Sequence, residues 1–92
     1  MATNPTNNDT ISINGVTFTF KSTLGTDPGN IKICSSVAKT IANFVNAFNT
    51  PGTSISEATD AGFVAFSAAD QAKLKNITAT NGTTYITLVA KG

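Results

Sequence analysis

Two Asn-Gly pairs, Asn14-Gly15 and Asn81-Gly82, each stand between runs that alternate polar and apolar residues. A two-residue type I′ turn needs positive φ at both central positions, and Asn-Gly is the pair that accepts this most readily. The first run is Thr10-Ile11-Ser12-Ile13 and the returning one is Val16-Thr17-Phe18-Thr19-Phe20. A two-residue turn pairs Ile13 with Val16 and Ile11 with Phe18, so both apolar faces coincide. The second unit is Ile77-Thr78-Ala79-Thr80, then Thr83 through Ala90. The same turn pairs Thr80 with Thr83, Ala79 with Thr84 and Ile77 with Ile86. It makes Ile77, Ile86 and Leu88 the core face.

Between the hairpins, Asp27-Pro28-Gly29 marks a turn in a loop over 22–30, and Ile31-Lys32-Ile33 reads as a short strand. Ser35 or Ser36 then opens a helix. Val37, Ile41, Phe44, Val45 and Phe48 recur at helical spacing and form one apolar stripe. Lys39, Thr40, Asn43 and Asn46 take the outer surface, and Asn49-Thr50-Pro51-Gly52 is a stop. Ser56 to Asp60 reads as a turn of helix, and Ala61 to Phe66 as a compact apolar segment with a short strand as one reading. Ser67-Ala68-Ala69-Asp70 has the form of a capping box, so a short helix is expected over Ala68–Lys75 with Leu74 inward.

These elements predict an α+β fold. Two β-hairpins form one antiparallel sheet, packed by one main amphipathic helix plus a short second helix. At 92 residues the chain holds a single domain, expected over 9–92, preceded by a polar flexible arm over 1–8. The sheet's wet face would be paved with hydroxyls. The chain carries 16 Thr, 10 Asn and 7 Ser but only 12% charged residues, about half the usual share of roughly 25%.

Composition narrows the chemistry. With no His, the usual general base near neutral pH is missing, and with it the Ser-His-Asp and Cys-His arrangements. One Cys without His makes neither a zinc site nor an intrachain disulfide, so no metal or cofactor is expected. Cys34 reads as a small buried hydrophobe. The groups left for catalysis are Glu57, Asp60, Asp70, Lys73 and Cys34. Glu57 and Asp60 lie at i, i+3 and would meet on a helix. Asp70 reads instead as a cap and Lys73 as part of a solvated face, and no enzyme is expected. A net charge of +1 gives no basic face for nucleic acid. No apolar run reaches the roughly 20 residues of a bilayer span. The segment MATNPTNND has no apolar core of a secretory signal, so the chain is expected to stay in a cytoplasm or in a particle assembled there.

The stretch Asp9 to Phe20, with Ile11, Ile13, Asn14, Gly15, Phe18 and Phe20 at its marked positions, resembles the opening of small domains in tailed-phage virion proteins. The likeness continues through the Pro/Gly/Asn loop, the Ile31/Ile33 pair and the Ala/Asn-rich helix from Ser36 to Asn49, and so covers about residues 9–49. A free-standing chain of this kind looks most like an auxiliary (decoration) capsid protein, with crAss-like phages as one candidate source. The resemblance implies a structural virion component that binds major capsid subunits. The alternatives are a tail or connector component, or a stand-alone adhesion module whose Thr/Asn-rich face with Tyr85 hydrogen-bonds sugars.

Two segments stand out for partner contact. Asn4, Pro5 and Asn7 belong to the polar arm, which would order on binding. Phe63, Val64 and Phe66 place bulky residues outside the clear elements, where filling the core under a loop is the competing reading. An open strand edge could also add to a partner's sheet, and self-association is a further candidate.

Overall fold

The computed structural model describes residues 3–83 and 85–90. The elements run β1 (Thr10–Ile13), β2 (Val16–Lys21), β3 (Asn30–Lys32), α1 (Val37–Asn49), β4 (Ile55–Ala58), β5 (Ala61–Phe63), α2 (Ala68–Leu74), β6 (Ile77–Asn81) and β7 (Ile86–Ala90). The α+β class, the main helix and the short second helix are as expected.

The first hairpin has the predicted register, with Ile13 opposite Val16 and Ile11 opposite Phe18. Asn14 and Gly15 take φ of 52° and 79°, the pair of positive values a type I′ turn demands. The amide of Asn14 also donates to the Lys73 carbonyl at 2.9 Å, tying this turn to the end of α2.

The sheets divide differently from the expectation of a single antiparallel sheet. β1 and β2 belong to a five-stranded sheet of order β1-β2-β3-β5-β4, and β6-β7 stand apart as a two-stranded sheet. β3 runs parallel to β2, which makes the larger sheet mixed. The loop after Lys21 doubles back, so that Asn30–Lys32 runs beside Thr19–Lys21, the last half of β2, in the same direction. The second hairpin instead packs its β6 against α1.

The core lies between β2, α1 and the segment around Phe63–Phe66. Val16, Phe18, Phe20, Ile31, Ile41, Phe44, Phe48, Phe63, Phe66 and Leu74 are all buried. Phe18 is the hub: its ring lies 4.8 Å from that of Phe44, 5.6 Å from Phe48 in a stacked pair, and 4.9 Å from Phe66 edge-on. Such offset and T-shaped pairs contribute about 0.5–1.5 kcal/mol each beyond area burial.

Both helix starts follow from their serines. Ser36 caps α1 by accepting the Lys39 N–H, and Ser67 caps α2 by accepting the Asp70 N–H. Leu74 points inward as expected. One face of α1 needs correction, however. Thr40 and Asn43, expected on the outer surface, are buried. The Asn43 amide donates to the Gly62 carbonyl at 2.8 Å and to the Lys32 carbonyl at 3.2 Å, and accepts the Gly62 N–H at 3.2 Å. It thus stands in as a strand neighbour where the β3-β5 ladder, paired only at Ile31 and Phe63, has run out.

The segment expected as a helical turn at Ser56–Asp60 is strand β4 and its turn. Ile55 pairs with Phe63 and Ala58 with Ala61, with a register shift between them. Gly62 occupies the partner strand at φ 137°, where a Cβ would come within 2.9 Å of the Glu57 Cα. Pairing with β5 overrides the local helical signal.

The second hairpin is real, but its register is four residues off. Ile77 pairs with Ala90, Ala79 with Leu88 and Asn81 with Ile86. The turn is closed by Gly82 N–H to the Tyr85 carbonyl at 2.9 Å and by Thr83 N–H to the Asn81 side chain at 2.7 Å, and the positive φ falls on Thr83. The tighter turn would carry Thr87–Ala90 past Ile77, where α2 ends and no strand is available to pair. Thr84, expected opposite Ala79, lies outside the described residues. Because the shift is even, side-chain sides are preserved. Ile77 and Ile86 pack on the core as expected, whereas Leu88 stays exposed.

Candidate interaction surfaces

The residues singled out for partner contact fall into separate places. Asn4 and Pro5 are half-buried. The Asn4 amide donates to the Cys34 carbonyl at 3.0 Å, and its carbonyl oxygen accepts the Thr40 hydroxyl at 2.7 Å. Asn7 accepts the Ser22 N–H at 3.0 Å, and Asn8 N–H donates to the Phe20 carbonyl at 2.8 Å. These bonds tie the arm to the body of the domain from within the chain. An open groove of about 640 Å³ runs beside them, lined by Asn4, Pro5, Asp9, Ile11 and Phe20 among others.

Phe63 and Phe66 belong to the core, 1% and 4% exposed, and offer a partner no side chain. Phe66 packs edge-on against Phe18 and its N–H donates to the Pro51 carbonyl, which is why this bulky segment turns inward. Val64 is half-buried, with its N–H bonded to the Asn30 carbonyl.

The ionisable candidates are likewise apart. Glu57 and Asp60 do not share a helix face. Glu57 pairs with Lys32 at 2.9 Å and also accepts the Leu24 N–H. Those bonds, the lysine's first, hold its carboxyl below the usual carboxylate range. Asp60 accepts the Ser35 N–H at 2.8 Å and pairs with Lys39 at 3.1 Å. The serine's backbone N–H leads in drawing its pKa down to about 2, with the Ser35 and Lys39 side chains adding to it. Asp70 and Lys73 form a loose i, i+3 pair at 3.8 Å on α2. Cys34 is buried, and burial pushes its thiol above the ordinary value. Among the described residues no three His, Cys, Asp or Glu side chains gather as a metal-binding group, and no helix is long and apolar enough to cross a membrane.

What the fold does place on its surface is strand edge. β1 and β4 close the two ends of the larger sheet. All four residues of β4 are exposed, Ile55 among them at 38%. Beside β4 lies an open cleft of about 380 Å³ with mixed walls, Ile55 and Val64 standing beside Thr26, Ser54, Ser56 and the Glu57 that Lys32 neutralises. The second hairpin exposes Tyr85, Leu88 and Val89. Nothing local marks Ile55 as part of a strand, because Ile55-Ser56-Glu57-Ala58 does not alternate polar and apolar residues and all four are exposed. The hairpin's signal was present as an uncharged run from Asn76 to Ala90.

Comparison with protein-family profiles, with curated proteins and with solved structures returned no match.

Proposed function

We propose that the chain is a non-enzymatic structural protein of a phage virion, held on the capsid surface by contacts with major capsid subunits. The observation that carries this reading is the likeness of residues 9–49 to small virion domains: the Asn-Gly hairpin, the Pro/Gly/Asn loop, the Ile pair and the Ala/Asn-rich helix in that order. The surface chemistry agrees with adhesion. Glu57 and Asp60 are each bound to a separate lysine, while β4 offers main-chain groups beside a cleft in which Ile55 and Val64 stand among hydroxyls.

The mechanism is strand addition and cover. An extended segment of a capsid subunit pairs with the β4 edge and sets alternate side chains into the cleft against Ile55 and Val64. Each bound copy stabilises the shell by mass action, to a degree set by concentration over Kd. The test is co-sedimentation of the purified chain with purified shells that lack it. Wild-type chain is expected to pellet with the shells, and Ile55→Lys to pellet at least tenfold more weakly while keeping its circular dichroism spectrum. A wild-type chain that stays in the supernatant contradicts the capsid reading. Equal binding by Ile55→Lys contradicts the assignment of β4.

A further inference from the structure

The β6-β7 hairpin has one edge covered and one bare. On the β6 side, the Asn49 amide donates to the Ala79 carbonyl and accepts the Ala79 N–H, both at 2.9 Å. Both main-chain groups of Ala79 therefore point away from β7. Ala79 stands opposite Leu88. In an antiparallel ladder, a pair that does not exchange hydrogen bonds directs its groups outward on both strands. The N–H and C=O of Leu88 thus face away from β6, and by the two-residue period so do those of Ile86 and Ala90. Among the described residues no strand pairs with β7 on that side.

Exposed edges are ordinarily guarded by lysine, by proline or by an inward charge. None of these occurs between Asn76 and Ala90. Tyr85, Leu88 and Val89, exposed at 60%, 42% and 53%, lie on or beside the bare strand.

We propose that this edge pairs with β7 of a second copy of the chain, antiparallel, about a two-fold axis at Leu88. Leu88 then faces the partner's Leu88, and Ile86 faces the partner's Ala90, each pair exchanging both hydrogen bonds. The two hairpins become one four-stranded sheet. A second copy is the occupant the edge fits. The segment is its own complement under a two-fold axis. With no charge between Asn76 and Ala90 on either copy nothing within the paired strands repels, and a charged partner strand would find no opposite charge there to meet. A strand of five residues buries less than the roughly 1,200–2,000 Å² of a stable interface, so the pair forms only at high concentration or where copies are crowded together. The proposal stands on this hairpin alone and is independent of the virion reading.

Sedimentation equilibrium from micromolar to millimolar chain tests it. Wild type is expected to pass from monomer to dimer across that range. Leu88→Pro removes an outward N–H without removing a β6-β7 hydrogen bond, and Leu88→Lys puts a charge on the axis. Each variant is expected to dimerise at least tenfold more weakly, with Leu88→Lys serving if the proline disturbs the fold by circular dichroism. Wild type that remains monomeric at millimolar concentration overturns the proposal. So does a folded Leu88→Lys that dimerises like wild type, or a series of species running past the dimer, which would point to the β1 and β4 edges instead.

Discussion

Replacing Asn43 by Ala tests whether a side-chain amide holds α1 to the sheet. The substitution takes away three hydrogen bonds and leaves the buried Gly62 N–H and C=O without their partner, while the Lys32 C=O keeps the Cys34 thiol. An unsatisfied buried main-chain group costs about 1–3 kcal/mol. Lys32 is only half-buried and its carbonyl recovers water, so the loss rests on the two groups of Gly62 and comes to about 3 kcal/mol. For a domain of this size each 1 kcal/mol shifts Tm by roughly 4–8 °C, which places the Asn43→Ala midpoint about 12–24 °C below wild type. Asn43→Asp is expected to lose at least as much. Its carboxylate still accepts the Gly62 N–H but sets a second oxygen against the Gly62 carbonyl. Asn46, three residues on and exposed, is the control, and Asn46→Ala is expected to stay within about 0.5 kcal/mol of wild type. Thermal melts followed by circular dichroism, checked by urea titration, measure all three. An Asn43→Ala midpoint within about 3 °C of wild type would refute the reasoning.

Three further outcomes follow from the same geometry. Gly62→Ala is expected to destabilise by about 1–3 kcal/mol, since its φ of 137° strains an L-residue and the new Cβ would meet the Glu57 Cα at 2.9 Å; an unchanged urea midpoint would contradict this. Asp60 has its pKa lowered from an ordinary 3.8 to about 2, so the stability it adds is complete above about pH 4 and is lost as pH falls toward 2. The Tm gap between wild type and Asp60→Asn should therefore be widest near neutral pH and close as pH 2 is approached, and a gap that does not change with pH would rule out this linkage. Removing residues 2–8 takes away the Asn4 bonds to Cys34 and Thr40, the Asn7 bond to Ser22 and the Asn8 bond to Phe20. The truncated chain is expected to melt below the full one, and equal melting would mean that those bonds contribute nothing in solution.

The parts of the fold legible in the sequence are those set by near neighbours. The first hairpin is written in two adjacent residues with positive φ and in a period-two alternation on both sides. The main helix is written in a stripe from Val37 to Phe48 and in a serine cap. What stayed hidden depends on residues distant in sequence. Asn43 and Thr40 look like outward polar positions, because nothing local shows that strands β3 and β5 leave main-chain groups for them to satisfy. The same holds for Asn49 against Ala79 and for Asn30, whose amide donates to the Leu24 carbonyl. Asn30 and Asn43 are the buried members of an otherwise largely exposed set of Asn, and each imitates a peptide group, because an amide offers one donor and one acceptor side. Glu57 and Asp60 were legible as a pair only on the assumption of a helix, and β-pairing gave each a different lysine. The interaction surface was partly legible. Phe63 and Phe66 proved to be core, whereas the uncharged second hairpin carries exposed apolar side chains.

The proposed place of this chain on a virion shell is open to a direct count. Quantitative mass spectrometry of purified particles from the source, with the chain counted against the major capsid subunit, tests it most directly. A ratio fixed at a simple fraction of the capsid lattice is expected. A few copies per particle would place the chain in a tail or connector, and its absence from particles would contradict the virion reading outright.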